Sequence, residues 1–125
     1  MKRSQINAAI ARAQDALRAH DVRLPAYAYW SPRDWQSAGA EYGRVTRNGL
    51  GWAVTDFGQG DFDSIGITMF DVRNGNVDHP EEGTPYGEKI FVLQPGQRLP
   101  FHFHWKKTED IISYHGGTLM IQLYN

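Results

Sequence analysis

The sequence predicts a mainly β domain, an antiparallel sandwich or jelly-roll barrel, preceded by a helical N-terminal segment. Residues 52–57, 65–72, 89–93, 99–105, 110–114 and 118–124 each read as short strands, rich in β-branched and aromatic side chains. Between them stand Gly58-Gln-Gly-Asp61, Asn74-Gly-Asn76, Pro85-Tyr-Gly87, Pro95-Gly96 and Gly116-Gly117, all turn chemistry. Before Gly51 the period changes from two to that of a helix. A chain of 125 residues makes one domain, with residues 1–50 packing as a helical segment on a barrel begun by residues 51–125.

The first helix is expected from a cap at Ser4 to about Ala19, with Ile6, Ala9, Ile10, Ala13 and Leu17 on one stripe. Gln5, Arg12, Asp15 and Arg18 occupy the opposite face, so the helix should lie on something larger. Residues 22–30 read as an extended aromatic connection. Ser31-Pro-Arg-Asp34 signals a second helix start, with a capping hydroxyl, proline at the first position and an acid in the first turn, ending near Gly39. Residues 41–47 suggest another helical turn.

Composition excludes several classes of partner. The net charge is −1, which gives no electrostatic footing for nucleic acid or an anionic membrane. No apolar run approaches spanning length, and no apolar stretch follows Met1-Lys-Arg. There is no cysteine, hence no disulfide and no thiolate ligand. A cytoplasmic location is the expectation.

The chemistry concentrates between Gly96 and Gly116. On an extended chain His102 and His104 project from one side, while Phe101, Phe103 and Trp105 project from the other. A turn over residues 105–108 would bring Glu109 back beside them. Two imidazoles and a carboxylate suit a divalent metal with open positions for water or substrate. The alternative is a pair of histidines that merely cap or line a core. However, the spacing from Gly96 through His102, His104 and Glu109 to Gly116 is that of the first metal-binding motif of cupins. A chance match in a chain of this composition is on the order of one in ten thousand, which favours the site.

Lys107 stands two residues before Glu109. It is either an ordinary exposed lysine or a cation beside the metal that is able to transfer protons. Lys89, a lone charge in Lys89-Ile-Phe-Val-Leu93, faces solvent or the barrel interior. His79, in a long connection with Asp78, Glu81 and Glu82, reads as part of a solvated loop. His20 reads as a helix C-terminus and His115 as a turn residue.

Over its whole length the chain resembles the D-lyxose isomerases of the cupin superfamily. The segments that carry the likeness are Lys2-Arg-Ser4, Tyr29-Trp-Ser-Pro-Arg-Asp-Trp35, Leu50-Gly-Trp-Ala-Val-Thr-Asp-Phe-Gly58, Gly60-Asp-Phe62 and Arg73-Asn-Gly-Asn76. Glu88-Lys-Ile90, His102-Phe-His-Trp-Lys-Lys107, Glu109-Asp-Ile-Ile112 and Leu123-Tyr-Asn125 complete them. The resemblance implies an aldose–ketose isomerase acting on D-lyxose and D-xylulose, and also on D-mannose and D-fructose. It implies a divalent ion, typically manganese, at His102, His104 and Glu109, although this ligand set also accepts zinc, cobalt, iron or nickel. It points to Lys107 as the catalytic lysine and to Lys89 as a sugar contact. It further implies a fourth ligand histidine and an acid–base glutamate beyond Asn125, so that this chain would form an incomplete barrel. Such a barrel exposes a sheet edge, which invites a homodimer or pairing with another chain. The alternatives are a non-catalytic metal- or sugar-binding cupin unit and another cupin enzyme, such as a dioxygenase.

Overall fold

The computed structural model describes residues 1–124; Asn125, the last residue of the Leu-Tyr-Asn match, lies outside the described residues. Helix α1 (Arg3–Ala19) buries Ala9, Ala13 and Leu17, with Ile6 and Ile10 half-buried beside them. Its small alanines let the helix backbone approach closely what it covers. Lys2, not Ser4, takes the cap position, because the Gln5 Oε1 accepts from the Lys2 backbone N–H at 2.7 Å. His20 closes the helix, as its place in the sequence suggests.

The expected extended connection is partly coiled. Pro25 fixes the start of a 3₁₀ turn, Ala26–Tyr29, and the Ala28 N–H donates to the Pro25 carbonyl at 2.9 Å. The Ala28 carbonyl in turn accepts from Gln14 Nε2 at 3.0 Å and from Trp52 Nε1 at 2.7 Å. One backbone oxygen thus ties α1, the 3₁₀ turn and the first strand together.

Helix α2 (Pro32–Gln36) forms as read. Ser31 Oγ accepts from the Asp34 N–H at 3.3 Å, and the Asp34 carboxylate accepts from the Ser31 N–H at 2.8 Å. The helix stops at Gln36, short of Gly39. A second 3₁₀ turn, Ala40–Tyr42, leads into helix α3 (Gly43–Arg47). Trp30 sits edge-on to Trp35 and Tyr42, with ring centroids 5.0 and 4.6 Å apart, and this cluster packs the short helices together.

Three antiparallel strands follow: β1 (Gly51–Thr55), β2 (Ile67–Arg73) and β3 (Glu88–Val92), with β2 in the middle. Phe70 of β2 is completely buried, between Trp52 edge-on at 5.1 Å and Tyr27 stacked at 5.8 Å. Burying a side chain of this size contributes roughly 2–3 kcal/mol. Strand β1 ends earlier than its apolar run because Phe57 adopts φ 52°. There the Phe57 and Gly58 N–H groups donate to Thr55 Oγ1 and Asp56 Oδ1 instead of to a neighbouring strand. Ile65, expected inside the second strand, makes an isolated parallel bridge with Arg98.

The expected strands at 99–105, 110–114 and 118–124 do not form. Residues 101–124 run as bends and irregular chain without a ladder, all exposed among the described residues. The pattern of these segments suits strands, but a strand needs a partner for its N–H and C=O groups, and none lies alongside. Phe103, Trp105, Ile112, Met120 and Leu123 are consequently exposed. The sheet is therefore open, a partial β fold with N-terminal helices, and a closed jelly roll is not seen. Among the described residues no helix is long and apolar enough to cross a membrane.

Candidate metal centre

The His-X-His segment lacks a strand partner, yet its side chains alternate as extended backbone requires. The rings of His102 and His104 meet edge-on at 5.1 Å, and those of Phe103 and Trp105 meet edge-on at 4.9 Å. The chain bends at Trp105 and Lys106 and returns Glu109 to the histidine side. One ligating atom each of His102, His104 and Glu109 lies within 4.8 Å of the others. His104 Nε2 and Glu109 Oε2 are 3.5 Å apart. Adjacent ligands about 2.1 Å from one ion would be separated by roughly 3.0–3.4 Å, so a small closure fits a divalent metal.

The surrounding groups prepare these side chains for that role. His102 Nδ1 lies 3.0 Å from the Pro100 carbonyl oxygen, which can only accept. In that hydrogen bond Nδ1 is the donor, which leaves Nε2 as the nitrogen available to a metal. Lys107 Nζ donates to Glu109 Oε1 at 2.5 Å, while the other carboxylate oxygen faces His104. That hydrogen bond from Lys107 holds the Glu109 carboxyl below the usual carboxylate range. Burial opposes it, and the charges of Lys107, His104 and His102 add to it. Glu109 is thus kept as an anion, the form that binds a cation.

Four of the residues singled out from the sequence, His102, His104, Lys107 and Glu109, therefore come together. Lys89 lies on β3, where it forms an ion pair with Asp71 of β2. The Pro100 carbonyl and Asp71 were not anticipated. For Asp71 a signal existed, a lone acid within the apolar run of β2, since a charge in such a run needs a partner. His115 lies outside the cluster and stacks on His20 with ring centroids 5.1 Å apart. A second grouping, His79 with Glu81 and Glu82, is also compact. There Arg47 Nε already holds Glu82 Oε2 at 2.7 Å, which places a cation where a metal would go.

Residues 1–125 match the sequence profile of the family described as D-lyxose isomerase. The chain is 41% identical over 126 residues to the D-lyxose/D-mannose isomerase of Escherichia coli O157:H7, covering 100% of this chain and 56% of that protein. It is 40% identical over 126 residues to the protein of the same name from Serratia proteamaculans, covering 100% of this chain and 55% of that one. The chain spans about half the length of the curated relatives it matches. A profile match along the entire chain, with the imidazoles and carboxylate brought together as the spacing requires, leads to one conclusion: the chain belongs to the D-lyxose isomerase family.

Proposed function

We propose that this chain carries the metal-binding half of an aldose–ketose isomerase site that interconverts D-lyxose and D-xylulose, and D-mannose and D-fructose. The observation that supports it best is the convergence of His102, His104 and Glu109, with Lys107 held against Glu109. His102, His104 and Glu109 would hold the ion, with manganese the first choice. When bound, the ion polarises the sugar carbonyl and stabilises the negative charge that develops on the sugar oxygens. The protein must supply the proton transfer, because moving a carbonyl from C1 to C2 means removing the proton on C2 and delivering one to C1. Lys107 is the residue we assign to carrying the C2 proton to C1, while the proton of the C2 hydroxyl passes to the C1 oxygen. Pro100 and Lys107 orient His102 and Glu109 through the hydrogen bonds already described.

A second reading, a unit that binds metal or sugar without turnover, is favoured by one observation. All four side chains are exposed in this chain, so water reaches the site from outside. Under either reading, the open sheet and the exposed residues 101–124 would be covered by strand pairing with another polypeptide, a second copy being the expected partner. Incubation with manganese and D-lyxose separates the readings. Ketose formation that is lost in His104→Ala supports the isomerase. Sugar binding without ketose supports the second reading, and oxygen consumption with iron would overturn both in favour of a dioxygenase.

A further inference from the structure

Two Asn-Gly pairs occur in the chain, Asn48-Gly49 after α3 and Asn74-Gly75 after β2. An asparagine followed by glycine is able to modify itself. With no side chain on the second residue, its backbone nitrogen reaches the asparagine side-chain carbonyl, an approach that a Cβ would obstruct. The other described asparagines precede residues that carry one, Asn7 before Ala8 and Asn76 before Val77.

The fold treats the two pairs differently. At Asn48 three hydrogen bonds oppose the reaction. Its Nδ2 donates to the Glu82 carbonyl at 3.1 Å, its Oδ1 accepts from Asn76 Nδ2 at 2.9 Å, and the Gly49 N–H donates to the Thr46 carbonyl at 3.2 Å. At Asn74 one bond opposes it, from Nδ2 to the Asn48 carbonyl at 3.2 Å. Gly75 is exposed, and among the described residues its N–H has no hydrogen-bond partner. It lies in neither helix nor strand, so no ladder holds its dihedrals.

We propose that Asn74-Gly75 is a self-modification site, at which slow deamidation releases the β2–β3 connection from the end of α3. The Gly75 nitrogen attacks Asn74 Cγ, and a C–N bond forms. The Cγ–Nδ2 bond breaks, and ammonia leaves with the proton given up by Gly75. Water then opens the cyclic imide at either carbonyl, leaving an aspartate or an isoaspartate at position 74. Neither product can donate to the Asn48 carbonyl as the amide does, and each sets a negative oxygen against it. The isoaspartate also inserts a methylene into the main chain beside the Asn74 carbonyl, which accepts from the Thr84 N–H at 3.2 Å. This chemistry needs only water and is independent of the metal centre.

The test is incubation of the full chain at mildly alkaline pH, followed by peptide mapping with mass spectrometry and isoaspartate labelling. Position 74 should convert at least about tenfold faster than position 48, the scale of the additional hydrogen bonds that must open there. In guanidinium chloride the two rates should converge, since both pairs share the Asn-Gly sequence and only the fold separates them. Equal rates in the folded chain, or a ratio that survives unfolding, would overturn the proposal. Asn74→Gln, whose longer side chain disfavours the cyclisation, should abolish conversion at 74. The converted chain, separated by ion exchange, should melt about 2–6 °C below the fresh one, the scale of one lost hydrogen bond. Asn74→Asp should match it. The aged parent gives the same reading should that variant not fold, and an unchanged melting temperature in the aged chain would overturn the release of the connection.

Discussion

Lys107 and Glu109 form a close ion pair, Nζ to Oε1 at 2.5 Å, across the bend that returns the carboxylate to His104. The two oxygens of Glu109 are thereby divided, one toward the lysine and one 3.5 Å from His104 Nε2. Metal binding and proton transfer can in this way be assigned to neighbouring groups and perturbed separately.

Substitutions at the ligands should act on metal affinity. His102→Ala and Glu109→Ala are each expected to weaken manganese at least about 100-fold, since even residues that only orient ligands are worth 10–100-fold. Equilibrium dialysis against manganese measures this directly. Retention of parental affinity in both variants would remove the cluster as a metal site.

Lys107→Ala should behave differently. It removes the proposed proton carrier and leaves the three ligands, so metal affinity should stay within about threefold while turnover falls by roughly 10²–10⁴-fold. Steady-state ketose formation in a preparation active with D-lyxose, read beside the dialysis result, separates the two effects.

Acid should loosen the connection between β2 and β3. The hydrogen bond from Arg47 holds the Glu82 carboxyl below its ordinary range, and the nearby charges of Arg47, His79 and Arg44 assist while burial opposes. A carboxyl with a lowered folded-state pKa stabilises the fold above its unfolded-state pKa, and that contribution disappears as pH falls through the folded-state value. Melting temperatures of the parent and Glu82→Gln should therefore differ at neutral pH and converge in acid. A gap that persists into strong acid would show that the Arg47 pair is not its cause.

Asn48 organises the same connection. Its Nδ2 donates to the Glu82 carbonyl at 3.1 Å, its Oδ1 accepts from Asn76 at 2.9 Å, and its carbonyl accepts from Asn74 at 3.2 Å. It is 8% exposed, so Asn48→Ala would leave partners without water to replace it. A loss of about 1–3 kcal/mol in urea unfolding is expected, against a small change for a control such as Asn7→Ala on the exposed side of α1.

Much of this organisation was legible from local chemistry. The stripe of α1, the Ser31–Asp34 capping box and the three strands up to Val92 rest on interactions within a few residues or between adjacent strands. So does the convergence of His102, His104 and Glu109, which needs only extended backbone and a bend. The strands expected at 99–105, 110–114 and 118–124 failed because alternation records an ability to pair and does not supply the partner. The Asp71–Lys89 pair stayed hidden for a related reason. The residues are 18 apart in sequence, and only the strand register sets them face to face.

The order of the strands has a kinetic consequence. Since β1, β2 and β3 are neighbours both along the chain and in the sheet, each ladder closes only the one connection between consecutive strands. Local topologies of this kind form quickly. On a ribosome, where the N-terminal part of a chain emerges first, the helices and this meander can assemble while residues 101–124 are still being synthesised. The metal ligands then arrive on a platform already in place, which separates the folding of the scaffold in time from the loading of the ion.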